Sequence, residues 1–138
     1  MNNRKSILLV IILANLICTL IGGHGFAPLG LIEYLTIAAT FSGNFQDFPF
    51  LSHWTLSSYI LLLGQILIII GLFKNDKSIT NKYGLVGIIF LTLALITLAC
   101  SSNFSPSSSL KFFILTCAPF IILSIIFLGT IKNSHDAV

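Results

Sequence analysis

Residues 54–73 read "WTLSSYILLLGQILIIIGLF", twenty positions without a charge. An α-helix rises 1.5 Å per residue, so this run covers about 30 Å, the hydrocarbon thickness of a bilayer. Three further runs fit the same description, at 6–22, 83–101 and 111–131, and none holds an internal Asp, Glu, Lys or Arg. Of the 138 residues 56% are hydrophobic and only 8% charged, whereas a soluble domain carries about 25% charged residues. So little polar surface cannot keep the chain in water. The expectation is an all-α membrane protein, one four-pass domain over 1–138 with four transmembrane helices.

The first run starts behind Arg4 and Lys5, as a signal peptide would, but no A-x-A-type cleavage site follows it. It reads as a retained anchor. Orientation follows from Lys and Arg, which accumulate on the cytoplasmic side of short loops. With the N-terminus inside, Arg4, Lys5, Lys74, Lys77, Lys82 and Lys132 are cytoplasmic and only Lys111 is outside. Both termini are therefore expected in the cytoplasm, the bacterial inner membrane being the site. The net charge of +3 reports this topology and not affinity for nucleic acid; no direct nucleic-acid contact is expected.

Between the first two runs stands "IGGHGFAPLGLIEYL", residues 21–35. Its glycines suit a sharp turn, and Pro28 suits the first turn of a helix, where its missing N–H costs nothing. Over 28–41 the period is helical. Glu33, Thr36 and Thr40 share one face, and Leu31, Tyr34, Leu35, Ala38 and Phe41 share the other. This predicts a short amphipathic helix lying along the outer interface, between the first and second spans. A phosphate cradle would want a lysine, and the stretch has none. The segment after it gathers Phe41, Phe45, Phe48, Phe50 and Trp54 at the membrane edge, an aromatic belt or a docking surface.

His24, Glu33, Asp47 and His53 all fall on the outer side. Their spacing matches no metal motif, so they read as interfacial histidines and solvated acids, and neither catalytic residue, metal nor cofactor is expected. His24 keeps some interest because an imidazole at a membrane boundary titrates near neutral pH. His24, Glu33, Phe48, His53 and Trp54 are the candidates for an outer sensing surface. Cys18, Cys100 and Cys117 lie in apolar runs without C-x-x-C spacing and read as small buried hydrophobes.

Within the runs, Asn15, Gln65, Thr92 and Ser124 stand at similar depth when counted from the cytoplasmic end. Lipid cannot hydrogen-bond them, so they are expected to form a polar layer by facing one another or a second copy. Ser57, Gly64 and Gly71, and likewise Gly87, Ala94 and Ser101, recur every seven positions. That repeat predicts a left-handed seam of close backbone approach. Pro119 predicts a kink in the last span. With no ionisable residue inside a span, a proton-coupled transporter is disfavoured.

A non-catalytic subunit that senses envelope perturbation or anchors a partner fits best. A small oligomeric channel or transporter is the alternative, and an enzyme lacks a catalytic constellation. The inner connection "KNDKSITNK", residues 74–82, offers Lys74, Lys77 and Lys82 as a dock for a soluble cytoplasmic effector or for anionic lipid. The bilayer and a second copy of the chain are the other expected partners.

In size, four-pass outline, internal termini and an Ile-, Asn- and Phe-rich composition, the chain resembles the membrane subunit of the Kiwa anti-phage defence system. There a small multi-pass inner-membrane protein detects phage infection and works with a soluble DNA-binding effector. The resemblance implies a defence role. It rests on outline without a diagnostic motif, so it assigns no residue a role. A DoxX-like four-helix membrane protein is similar in size.

Overall fold

A computed structural model describes residues 3–22, 25–43, 55–101 and 109–135. Five helices and one hairpin follow in chain order: α1 (Asn3–Ile17), β1 (Thr19–Gly22), β2 (Gly25–Pro28), α2 (Leu29–Ser42), α3 (Thr55–Phe73), α4 (Lys77–Ser101) and α5 (Ser109–His135). Among the described residues three helices are long and apolar enough to cross a membrane, over Leu56–Phe73, Lys77–Ala99 and Phe113–Lys132. These match three of the four expected spans.

The first expected span differs. Its helix stops at Ile17, and its last residues form β1, which pairs antiparallel with β2 from Thr19↔Pro28 to Gly22↔Gly25. A 15-residue helix rises about 22 Å, less than the hydrocarbon core. The hairpin returns the chain to its own base, where Leu29 N–H donates to Cys18 O at 2.8 Å. Pro28 is the N-cap of α2, one position before the helical turn expected for it. At the far end Gly43 closes α2 at φ 70°, a left-handed conformation that glycine adopts without cost.

The α3–α4 pair is the closest packing in the bundle, and glycine makes it possible. A Cβ at Gly87 would lie 2.8 Å from Gly64 O and 2.5 Å from Ile68 Cγ1. One at Gly71 would meet Tyr83 Cβ at 3.0 Å. Further along, Ser57 Oγ and Thr97 Oγ1 are bonded at 3.0 Å. Of the two repeats Gly64 and Gly87 therefore face each other, while Gly71 lies against Tyr83 and Ser57 against Thr97. The turn between them is capped by Asp76, whose carboxylate accepts from Ser78 N–H at 2.8 Å. This cap starts α4 at Lys77, six residues before the expected span, so the inner connection is shorter than 74–82.

Helix α1 runs beside α5. Leu8 and Phe127 are buried where Gly84 of α4 leaves room: a Cβ there would lie 2.8 Å from Phe127 Cζ and 3.0 Å from Leu8 Cδ2. Arg4 ties the same end, donating from Nη1 to Asn81 Oδ1 at 3.2 Å and from Nη2 to Thr130 O at 3.1 Å. The start of α1, the α3–α4 turn and the end of α5 thus share one end of the bundle. Helix α5 continues through Pro119.

Candidate functional site

Helix α2 carries the amphipathic stripe that its sequence announces, but turned the other way. Leu29, Ile32, Glu33, Thr36 and Ala39 are buried, at the helical spacing i, i+3, i+4, i+7, i+10. Outward stand Leu31, Tyr34, Ile37 and Phe41, with Tyr34 66% and Phe41 89% exposed. The expectation of Glu33 as a solvated outer acid is overturned: it is 3% exposed. The reason is the solvent. Against lipid the apolar stripe faces out, and a carboxyl is covered by protein.

Glu33 meets Gln65 of α3. The Nε2 group of Gln65 donates to both carboxylate oxygens, at 2.9 and 3.0 Å. Gln65 follows Leu56 by nine residues and precedes Phe73 by eight, the middle of that apolar helix. The pair therefore sits about 13 Å from either end of α3. Burial pushes the Glu33 carboxyl up to about 7, against the lowering effect of the Gln65 N–H donors. One helical turn further Thr36 Oγ1 donates to Ile32 O at 2.8 Å. At the end of α2 the Thr40 hydroxyl is bonded to the Tyr59 hydroxyl. Two polar contacts, Glu33–Gln65 and Thr40–Tyr59, clamp α2 along α3.

Asn15 belongs to the same bundle. It is fully buried, and neither its Oδ1 nor its Nδ2 has a hydrogen-bond partner among the described residues. It precedes Leu16, whose Cδ2 would lie 3.1 Å from a Cβ placed on Gly30, and Gly30 stands three residues before Glu33. An unsatisfied buried amide costs about 1–3 kcal/mol.

Of the expected polar layer, Gln65 alone bonds across helices among these contacts. Thr92 donates to Ile88 O and Ser124 to Phe120 O, each at 2.8 Å and each within its own helix. Both instead line an apolar groove of about 320 Å³ between α4 and α5, with Leu95, Phe113 and Phe120. Lys74, Lys77 and Lys82 are all exposed, Lys74 in the turn before α4 and Lys77 and Lys82 on its first turns, so the expected loop is in large part helix. His24, Phe48, His53 and Trp54 lie outside the described residues. Cys18 and Cys117 are free, buried thiols. Cys18 Sγ donates to Ala14 O and Thr116 O, at 3.4 and 3.6 Å.

One signal in the sequence pointed to the buried carboxyl. Interfacial helices carry a strongly charged polar face rich in Lys and Arg, and Glu33 is the single charge of α2. So thin a polar stripe is better covered by protein than offered to water. No family model, curated protein or solved structure matches this chain.

Proposed function

We propose that the chain is a non-catalytic membrane subunit that senses or anchors through a partner, with α2 as the element that responds. The observation that carries this is the clamp. Glu33–Gln65 and Thr40–Tyr59 hold α2 on one side, while Leu31, Tyr34, Ile37 and Phe41 leave its other side open to lipid or to a protein in the envelope. In this reading α2 has two arrangements, docked and released, and exchange between them is what a sensor needs. In this reading α1 completes a four-pass bundle in the bacterial inner membrane, both termini are cytoplasmic, and Lys74, Lys77 and Lys82 receive a soluble effector. The Kiwa-like defence role rests on outline alone.

The test expresses the gene alone and together with its chromosomal neighbours, then challenges the cells with phage. Protection that needs a neighbour and is lost in Gln65→Leu supports the reading. Full protection by this chain alone overturns it. The buried carboxyl favours a second reading, a small oligomeric channel or transporter, because ionisable groups in membrane bundles mark ion and proton paths. Ion flux into liposomes holding only the purified chain, abolished by Glu33→Gln, would establish that alternative.

A further inference from the structure

We propose that Glu33 and Gln65 form a proton-binding site within the membrane bundle, taking up and releasing one proton at the Glu33 carboxyl. This site goes beyond the partner reading, since it can hold a proton whether or not an effector exists.

The geometry asks for a neutralising partner. Glu33 is 3% exposed, in contact with the midpoint of α3, and its described partner is an uncharged amide. The titratable groups on the elements packed around it are committed elsewhere. Tyr34 of α2 is on the outward stripe, and Tyr59 of α3 is bonded to Thr40. Arg4 of α1 is eleven residues from Asn15, about 16 Å away along the helix, and is taken by Asn81 and Thr130. Lys5 is one residue further in, and Cys18 is bonded to two carbonyls. Strand β2 has no titratable side chain, and His24 lies outside the described residues. Among the described groups no cation balances the carboxylate. A buried, unpaired charge neutralises itself by binding a proton when it can.

The Gln65 amide can serve both states, which makes the binding reversible. As a carboxylate, Glu33 accepts the two bonds from Gln65 Nε2. With a proton on one oxygen it becomes a donor, and the acceptor it needs is an amide carbonyl. Gln65 Oε1 supplies one when that amide turns end for end. The step moves one proton from water to a Glu33 oxygen and back, with no other bond made or broken.

The experiment uses the purified full-length protein in lipid vesicles and dicyclohexylcarbodiimide, an apolar reagent that attacks a carboxyl in its protonated form. Peptide mass spectrometry reads modification of Glu33 between about pH 5 and about pH 9, spanning the ordinary carboxyl range and neutrality. The expected result is modification that falls about tenfold or more through neutral pH, alongside a carboxylic-acid carbonyl infrared band that Glu33→Gln removes. Because the wild-type profile is itself the primary reading, a variant that fails to fold does not weaken the test. Absence of modification at every pH overturns the proposal, as does modification that ignores pH. Protection by sodium chloride but not by choline chloride assigns the site to a metal cation and overturns it as well.

Discussion

Gln65 of α3 donates both of its described hydrogen bonds, at 2.9 and 3.0 Å, to the carboxylate of Glu33, thirty-two residues earlier in the chain. This contact joins a short helix to the midpoint of a membrane-length one, and it makes α2 part of the bundle.

Removing one side of that contact is expected to be worse than removing both. Gln65→Leu leaves a buried carboxyl without its donors and should destabilise the bundle by about 1–3 kcal/mol. Glu33→Leu in the same chain should restore part of that loss, because two apolar groups leave nothing unsatisfied. Thermal unfolding in detergent of the two single variants and the double variant measures the coupling. Additive losses would mean that the two side chains act independently.

Stability should depend on pH through Glu33. Its folded value, about 7, lies above the ordinary 4.5. The folded state therefore holds its proton more tightly than the unfolded chain does. The contribution is fully present below about pH 4.5 and is lost as pH rises towards and through 7. Melting temperatures across that window should fall with rising pH for the wild type, and the slope should flatten in Glu33→Gln. An unchanged slope in the variant would assign the dependence to another group.

Glycine substitutions should divide sharply by position. A methyl at Gly87 meets Gly64 O at 2.8 Å and Ile68 Cγ1 at 2.5 Å, whereas one at Gly129 meets nothing within 4 Å. Gly87→Ala is expected to push α3 from α4 and cost about 1–3 kcal/mol. Gly129→Ala should be neutral or stabilising by up to about 1 kcal/mol, because alanine loses less backbone freedom in a helix. Equal melting points for the two variants would contradict the packing described for the seam.

Arg4 should matter for where α1 sits. Arg4→Ala removes its bonds to Asn81 and to Thr130 O, which are part-buried and worth about 0.5–1.5 kcal/mol each. Faster proteolysis near the N-terminus is expected, with the α3–α4 pair unaffected. Resistance equal to that of the wild type would show that Leu8 and its apolar neighbours hold α1 unaided.

Topology is open to labelling in intact cells, with single cysteines placed at Asn44 and Ser78 in a cysteine-free background. The distribution of basic residues predicts that a membrane-impermeant reagent reaches Asn44→Cys and not Ser78→Cys. The opposite pattern would turn the protein round.

What the sequence determined is what one element needs by itself. The run Thr55–Phe73 is helical and of membrane length whatever surrounds it, because length and hydropathy decide that locally. The recurrence of Ser57, Gly64 and Gly71 likewise marked a face for close packing, and Asp76 ahead of Ser78 held the signal for the start of α4. The boundary of α1 was less legible, since an apolar run through Gly22 does not say where helix yields to hairpin. Only the tertiary structure decided which way α2 turns its stripe. Periodicity puts Glu33, Thr36 and Thr40 on one face, but whether that face meets water or protein depends on what stands opposite. Opposite stands Gln65, and its amide makes the inward orientation the favourable one for a carboxyl that lipid cannot solvate.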